Sequence, residues 1–285
     1  MKPQKVLHIK DALKKKILKI TGDYLITEKL DGNYGYIKFG PEGYSHICSS
    51  TGKIIHSLAW LKEHFNKDLP KPNKSGFIIG ELYNRDLSFY EINGRMNKKY
   101  ENVEDVYLYC NDLVFTDNKE SAFERYNHLL AFYETVGSKY LKTVPILGTA
   151  PYSSVWEYYF KLILEQSGEG IVLKQAAGLY HPGKRNETLL KMKEMITVDL
   201  ECISVFKSVG DKGNEAVNLL CRRANGVQVN VVVPKEVDKN MFMRNPEEVM
   251  GKVVEIAAMK QNADGTLREP RFKCIRYDKF VEDID

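Results

Sequence analysis

The sequence has few of the features that mark secreted, membrane or zinc-dependent proteins. Its five cysteines are scattered and form no Cys-x-x-Cys pair, so neither a zinc site nor a disulfide framework is predicted. No apolar run approaches the length of a signal-peptide core or a membrane span, and we find no internal repeat or low-complexity segment. These absences favour a protein of a reducing compartment, cytoplasmic and without membrane contact.

The length and charge of the chain set broad limits on its organisation. The 285 residues can bury a large core, and this length suggests one large domain and one small domain. The formal net charge is +4 at pH 7, which suits a polyanionic partner. A slightly basic enzyme with no polymer partner fits the same charge.

The most informative stretch is Thr27-Glu28-Lys29-Leu30-Asp31-Gly32, which lies between an apolar run at residues 24–26 and an alternating segment at residues 34–39. The pattern predicts two strands joined at Asp-Gly, with Lys29 closing the first strand. A lysine placed there can lie on a pocket floor, where burial or neighbouring cations lower its pKa and make the neutral amine a nucleophile. Taken alone, the pattern more often describes a hairpin with a solvated lysine.

Two later segments place charged side chains in predicted strands. Glu81 lies in the middle of the apolar run at residues 77–83, where a carboxylate is costly unless it binds a cation, a ligand hydroxyl or a basic neighbour. Lys191 and Lys193 lie two residues apart, so in a strand they point to the same face. An anion between them, such as a nucleotide α-phosphate, would relieve their repulsion, and their field would lower the pKa of Lys29. A solvated strand edge is the alternative.

Five segments in a fixed order resemble the motifs of a known superfamily. They are Lys29-Leu-Asp-Gly32, Ile79-Gly-Glu-Leu82, Glu169-Gly-Ile-Val-Leu-Lys174, Leu190-Lys-Met-Lys193, and Arg268-Glu-Pro-Arg271-Phe272 continuing to Arg276-Tyr-Asp-Lys279. They resemble motifs I, III, IV, V and VI of the covalent nucleotidyltransferases, which include ATP-dependent DNA ligases, RNA ligases and mRNA capping enzymes. The resemblance covers nearly the whole chain and points to ATP-dependent DNA ligases of the compact viral or bacterial type.

The resemblance implies an α+β fold in two domains. A nucleotidyltransferase (adenylation) domain of antiparallel sheets with flanking helices is expected at residues 1–196, and an OB-fold barrel at residues 197–285. The strand pattern agrees, because five short strands follow residue 198, with a helix near residues 246–250 between the third and the fourth. Helical spacing predicts further helices at residues 6–20, 121–133 and 152–166.

The resemblance also implies a catalytic set. Lys29 would attack ATP and carry AMP as a covalent lysyl-AMP. Asp31 would orient the ribose or the 3′-hydroxyl side of the reaction, and Lys191 and Lys193 would hold the α-phosphate. ATP is expected as the donor instead of NAD⁺, because the extra N-terminal domain and zinc finger of NAD-dependent ligases are missing.

Further nucleotide and metal contacts follow from the same resemblance. Glu169 would engage Mg²⁺ or Mn²⁺, and Glu81 would contact the ribose or the metal. Tyr109 is our choice for the ring that stacks on the purine, since the usual Phe-Asp pair is Asn111-Asp112 here; a core tyrosine is the equal alternative. The other implied nucleotide contacts are Thr27, Glu28, Lys174, Arg185, Arg268, Arg276 and Lys279. The cations near the C-terminus also fit a basic barrel rim for nucleic acid.

Two positions depart from the family pattern. ATP-dependent DNA ligases usually read Lys-x-Asp-Gly-x-Arg, but Tyr34 stands at the arginine position. A second family arginine is replaced at Ser50. In the family these arginines help to hold AMP and the 5′-phosphate of the nick, and Lys53 or Arg185 are candidates to substitute for them.

The function that the resemblance implies is sealing of nicks between a 5′-phosphate and a 3′-hydroxyl in duplex DNA. The protein is expected to be a monomer, cellular or virus-encoded, that uses ATP and a divalent metal. The alternatives are an RNA nick-sealing ligase, a capping guanylyltransferase, and a nucleic-acid-binding homologue with an inactive site.

Overall fold

The structure is a computed structural model that describes residues 2–9, 22–151, 155–209, 213, 215–262 and 264–285. It mixes several sheets with a smaller number of helices, which confirms the α+β class. The chain divides into two compact units, Met1–Lys193 and Glu194–Asp285. The two units therefore meet after residue 193 in the structure, whereas the sequence predicts the boundary after residue 196. In the described residues, no helix is long and apolar enough to span a membrane.

The first unit is built from two five-stranded sheets and flanking helices. Its strands are β1 (Lys5–His8), β2 (Asp23–Glu28), β3 (Asn33–Gly40), β4 (Gly43–Ser49), β5 (Gly76–Tyr83), β6 (Tyr107–Phe115), β7 (Leu141–Thr143), β8 (Ile146–Pro151), β9 (Gly170–Gln175) and β10 (Arg185–Lys193). Its helices are α1 (Leu61–Asp68), α2 (Phe89–Met96), α3 (Ala122–Val136) and α4 (Val155–Glu165), with a 3-10 turn at His56–Leu58. The sheet orders are β1-β10-β9-β2-β8 and β4-β3-β5-β6-β7.

The first sheet buries alternate residues on its two faces. Tyr24 and Ile26 of β2 pack in a core with Ile163 of α4. Leu25 and Thr27, between and after them, line a cavity on the other face. Successive side chains of a strand point to opposite faces, so the helix-covered face and the cavity face follow directly from the sequence order.

The second sheet divides its residues in the same way. Ile78 and Leu82 of β5 belong to a core that also contains Phe65 of α1. Ile79 and Glu81 of the same strand line the same cavity as the residues of β2. The cavity therefore lies between the two sheets, with the helices on their outer faces.

The second unit contains a closed barrel. Its strands are β11 (Ile196–Val209), β12 (Glu215–Arg222), β13 (Gln228–Val232), β14 (Val253–Ala258), β15 (Lys260–Gln261), β16 (Leu267–Arg268) and β17 (Arg271–Ile275). The barrel order is β11-β12-β13-β17-β14, while β15 pairs with β16. A helix, α5 (Glu236–Arg244), separates β13 from β14, and 3-10 turns lie at Pro246–Glu248 and Val281–Asp283.

Two helix predictions need correction. The helix between the third and fourth barrel strands spans residues 236–244, and residues 246–248 form only a 3-10 turn. The helix ends before Pro246 because proline cannot continue it and biases Asn245 away from helical geometry.

The predicted helix at residues 6–20 is wrong at its start, where Lys5–His8 form β1 parallel to β10. Leu7 packs on the first sheet's core, a tertiary contact that local periodicity does not reveal. Residues 10–21 lie outside the described residues.

Candidate active site

The cavity between the sheets collects residues that are far apart in the sequence. Its volume is about 200 Å³. Five of the predicted site residues line it, namely Thr27, Glu28, Lys29, Glu81 and Lys174. The first sheet contributes the end of β2 and the middle of β9, and the second sheet contributes β5. The segments that resemble motifs I, III and IV therefore meet at one place.

Lys29 is fixed to the start of β9 by its backbone and by its side chain. Its amide donates a 2.8 Å hydrogen bond to the carbonyl oxygen of Gly170. Its Nζ lies 2.5 Å from Glu169 Oε2, and the two side chains are 23% and 12% exposed. The amine therefore lies in a largely shielded position, and the carboxylate beside it can accept its proton.

The turn that follows Lys29 approaches β5 so closely that it requires glycine. A Cβ at Gly32 would lie 2.3 Å from the carbonyl oxygen of Leu82 and 2.9 Å from Cγ of Glu81. The amide of Gly32 also donates a hydrogen bond to the carboxylate of Glu81. Gly32 thus connects the nucleophile candidate to the acid of the second sheet.

We expect Gly32→Ala to destabilise the protein by about 1–3 kcal/mol, because the backbone of β5 must move to admit a methyl group. Gly94→Ala is the matched control, since Gly94 lies in α2 and a Cβ there has open space. That control should be neutral or stabilising, as expected for alanine in a helix. Urea unfolding measures both variants, and a Gly32→Ala protein as stable as wild type would contradict this packing.

Glu81 has an unusual electrostatic environment. Burial raises the pKa of its carboxyl from 4.5 to about 7; Lys29 opposes this shift, and the carboxylates of Glu169 and Asp31 add to it. Lys29, Glu169 and Asp31 are therefore the charged side chains that influence the ionisation of Glu81.

This environment makes stability depend on pH. Between pH 4.5 and about 7 the folded protein holds a proton on Glu81 that the unfolded chain releases, so the stability contributed by this group falls as pH rises through that window. In metal-free buffer, the unfolding free energy of wild type relative to Glu81→Gln should therefore decrease from about pH 5 to about pH 8. A difference that stays constant with pH would contradict the raised pKa.

The acids at the cavity fit a divalent metal that is shared with phosphate. Glu169 Oε1 is buried and has no hydrogen-bond partner in the described residues, and Glu81 lies in the same charge cluster. Mg²⁺ is usually bound by one or two carboxylates together with substrate phosphates and water. The described part of the chain contains no group of three His, Cys, Asp or Glu side chains that could hold a metal ion by itself.

The two lysines of β10 lie on the cavity side of the first sheet. Lys191 pairs with Val172, and Lys193 pairs with Gly170. Val172 lines the cavity, and residues directly opposite each other in an antiparallel pair share a face. Lys193 of β10 and Lys29, one residue beyond the end of β2, thus both lie next to Gly170.

A buried ion network holds Lys174. Its Nζ lies 2.8 Å from Asp112 Oδ2, and Arg125 Nε lies 2.7 Å from Asp112 Oδ1. The side chains of Arg125 and Asp112 are only 1% and 5% exposed. Burial opposes ionisation, but Lys174 and Arg125 together hold the pKa of Asp112 below its usual value.

Asp112 and Arg125 were not among the predicted site residues. Asp112 lies in an apolar strand, the signal that identified Glu81, and applying it to β6 would have found this acid. Arg125 lies between Phe123 and Tyr126 in the helical pattern, and no local signal shows that it faces inward.

The structure does not place Tyr109 on the cavity wall. Tyr109 pairs with Glu81 across β5 and β6, and its ring packs edge-on against Tyr83 with centroids 5.6 Å apart. Asn111, two residues later, lines the cavity instead. A stacking role for Tyr109 therefore stays a prediction.

Arg185 also lies away from the cavity. It begins β10, whose cavity residue Leu189 comes four positions later, a separation of about 13 Å along an extended strand. Arg185 is exposed and pairs with Lys5 of β1, and its nucleotide contact stays a prediction.

The cations of the last motif lie in the second unit. Arg276 Nη1 and Lys279 Nζ lie 3.0 Å and 2.6 Å from Asp199 Oδ2. Arg276 also contacts Asp278 at 2.8 Å. Arg268 belongs to the short strand β16. Both Arg276 and Lys279 are thus held by acids of the second unit, and their nucleotide contacts stay predictions.

A further cation, not predicted from the sequence, reaches the cavity edge. Arg85 Nη2 lies 2.7 Å from Oε2 of the cavity residue Glu28.

The two positions where the family has arginines carry no cation in this chain. Tyr34 lies in the cavity wall, and Ser50 lies in an exposed turn. Lys53 is exposed and does not line the cavity.

Comparisons with known proteins show which family the chain belongs to. The model of the ATP dependent DNA ligase domain matches residues 3–193. A DNA ligase of Methanobrevibacter smithii is 26% identical over 267 residues, covering 81% of this chain and 48% of that protein. The chain thus spans about half the length of this curated relative.

Solved structures share the fold. A structure from a study of DNA binding by Lig E DNA ligases has a TM-score of 0.74 at 19% identity, covering 97% of this chain and 99% of that one. The ATP-dependent DNA ligase from bacteriophage T7 in complex with ATP has a TM-score of 0.56 at 17% identity, covering 96% and 98%. Because the family model matches more than half of the sequence, the chain belongs to the ATP dependent DNA ligase domain family.

Proposed function

We propose that the protein is an ATP-dependent DNA ligase that seals nicks between a 5′-phosphate and a 3′-hydroxyl in duplex DNA. The observation that carries this proposal is the position of Lys29, whose amine contacts Glu169 at 2.5 Å in a cavity that also contains Glu81. Lys191 and Lys193 lie on the cavity side of the same sheet. An amine nucleophile surrounded by cations and acids is the arrangement that nucleotidyl transfer requires.

The reaction has three steps in this proposal. Lys29 Nζ attacks the α-phosphorus of ATP, a P–N bond forms, and pyrophosphate leaves. Glu169 is placed to accept the proton that the amine loses. The 5′-phosphate of the nick then displaces Lys29 from AMP, and finally the 3′-hydroxyl attacks that phosphate and releases AMP.

We assign nucleotide binding to the cavity residues and metal binding to two acids. Thr27, Glu28 and Lys174 would contact the nucleotide, and Glu169 and Glu81 would hold Mg²⁺ or Mn²⁺. When bound, the metal supplies positive charge beside the phosphates. Asp31 lies close enough to Glu81 to influence its pKa, which supports an orienting role near the ribose or the 3′-hydroxyl.

The two units would have different roles. The first would be the nucleotidyltransferase domain, and the second an OB-fold, supported by its five-stranded barrel and the helix between its third and fourth strands. Arg268, Arg276 and Lys279 would assist pyrophosphate departure.

A monomer suffices for this reaction, because Lys29, Glu169 and Glu81 come from one chain. The five cysteines have no paired spacing, which suits a reducing intracellular location.

The test is sealing of four nicked duplexes, all DNA, all RNA and the two hybrids, with ATP or GTP and Mg²⁺. We expect the all-DNA nick to be sealed with ATP, and no sealing with GTP. Preference for an RNA nick, labelling by GTP instead of ATP, or DNA binding with no nucleotide transfer would each overturn the proposal in favour of a different activity.

A further inference from the structure

Arg85 stands out among the cations near the cavity because it is both anchored and accessible. Its Nη2 contacts Glu28 Oε2 at 2.7 Å, and the side chains of Arg85 and Glu28 are 59% and 13% exposed. The guanidinium group has five N–H donors in a planar fork, so most of its donors remain available to a ligand.

The loop that carries Arg85 has a defined backbone. The side chain of Asn84 donates to the carbonyl oxygen of Asp105 at 2.7 Å and accepts from the amide of Asp86 at 2.9 Å. Ser88 then caps α2 through a capping box with Glu91. These contacts hold Arg85 between β5 and α2 and restrict where its guanidinium group can lie.

The position of Arg85 next to the proposed nucleophile suggests which ligand it binds. Glu28 precedes Lys29 in the chain, and both line the cavity, so the exposed Arg85 side chain contacts the residue before the lysine that would carry AMP. The second substrate of the proposed reaction has to come to that AMP. That substrate is the 5′-phosphate of a nick. Arginine binds phosphate through two parallel charge-assisted hydrogen bonds.

Aromatic and basic side chains near Arg85 are suited to contact a polynucleotide backbone. Tyr83 and Tyr109 pack edge-on against each other, and Lys142 Nζ lies 5.7 Å from the ring centroid of Tyr109. Hydroxyl and ammonium groups of this kind contact the sugar–phosphate backbone without reading its sequence.

We propose that Arg85 binds the 5′-phosphate of the acceptor strand and thereby replaces the arginines that this chain lacks at positions 34 and 50. This inference rests on the proposed ligase function. It assigns Arg85 to the transfer of AMP from Lys29 to DNA and gives it no part in the attack of Lys29 on ATP.

The experiment separates the two stages. Formation of lysyl-AMP is measured with α-labelled ATP in the absence of DNA, and transfer is measured by mixing the purified lysyl-AMP protein with nicked duplex in a single turnover. We expect Arg85→Ala to form lysyl-AMP within about twofold of wild type and to transfer AMP about 10- to 100-fold more slowly, as for loss of a hydrogen bond to a charged group. Arg85→Lys should be intermediate, because it retains the charge without the planar fork.

Lys98→Ala is the control, since Lys98 also pairs with a carboxylate, Glu101, at 2.5 Å, but does not line the cavity. It should behave as wild type in both stages. If Arg85 only joins the two sheets through Glu28, Arg85→Ala would slow both stages together, and the proposal would be wrong.

Binding measurements identify the phosphate. Wild type should bind a 5′-phosphorylated nick more tightly than a 5′-hydroxyl nick, and Arg85→Ala should lose this difference. When the logarithm of the binding constant is plotted against the logarithm of the salt concentration, the slope for Arg85→Ala should be smaller in magnitude by about 0.9. An equal loss on both nicks would place Arg85 on another backbone phosphate and overturn the assignment. A wild-type protein that forms no lysyl-AMP would instead refute the ligase function itself.

Discussion

Lys29→Arg should form no detectable covalent nucleotide adduct and should not seal nicks, a loss of at least about 1,000-fold. Arginine retains the positive charge that pairs with Glu169, but its guanidinium group stays protonated in proteins and offers no neutral amine for attack. The variant therefore removes the nucleophile while keeping the ion pair. Adduct formation with α-labelled ATP and sealing of a nicked duplex are the two measurements.

Lys38→Arg is the control for this substitution, because Lys38 is exposed on β3 and does not line the cavity. It should label and seal as wild type does. Thermal unfolding should show that Lys29→Arg is folded. Labelling of Lys29→Arg at the wild-type rate would show that another residue is the nucleophile.

Asp112→Asn should destabilise the protein by about 3–5 kcal/mol. The substitution leaves Arg125 and Lys174 as neighbouring cations in a site where Arg125 is 1% exposed, and a buried charge without its partner is strongly destabilising. Urea unfolding is the measurement. Lys174 would also lose the carboxylate that fixes its ammonium group at the cavity, so adduct formation should slow in the molecules that remain folded.

Asp117→Asn is the matched control, because Asp117 is exposed just beyond the end of β6, and surface substitutions usually change stability by less than about 0.5 kcal/mol. The triple variant Asp112→Leu, Arg125→Leu, Lys174→Met should recover part of the loss, since it removes all three charges together. An Asp112→Asn protein that is as stable as wild type would show that the network does not support the fold.

The parts of the fold and site that depend on strand alternation could be predicted from the sequence. Apolar strands with a single acid placed Glu81, and the two-residue spacing placed Lys191 and Lys193 on one face, as the register with Val172 and Gly170 shows. Short strands around a helix indicated the barrel. These features are local, because a strand's side-chain direction depends only on its own order.

The parts that depend on contacts between distant segments could not be predicted. Residues 5–8 form a strand because β10 offers a parallel partner, although their spacing suggests a helix. Arg125 faces inward because Asp112 and the carbonyl oxygen of Gly178 accept its hydrogen bonds. Arg85 reaches the cavity edge only because Glu28, on the other sheet, lies within 2.7 Å.

The residue of β6 that faces the cavity could not be predicted either. The family's Phe-Asp pair is Asn111-Asp112 here, and both of these residues line the cavity, whereas Tyr109 does not. The register of β6 changes at a bulge between Ile79 and Gly80 of its partner β5. A bulge of this kind shifts which side chains face the cavity, and the sequence of β6 gives no sign of it.

The most direct test of the central claim is to find which residue carries the nucleotide. The wild-type protein is incubated with ATP and Mg²⁺ without DNA, digested, and its peptides are analysed by mass spectrometry under conditions that preserve a phosphoramidate. The account predicts AMP on the peptide containing Lys29, at that residue, and its loss when nicked DNA is added. AMP on Lys174, Lys191 or Lys193, or no adduct at all, would contradict it.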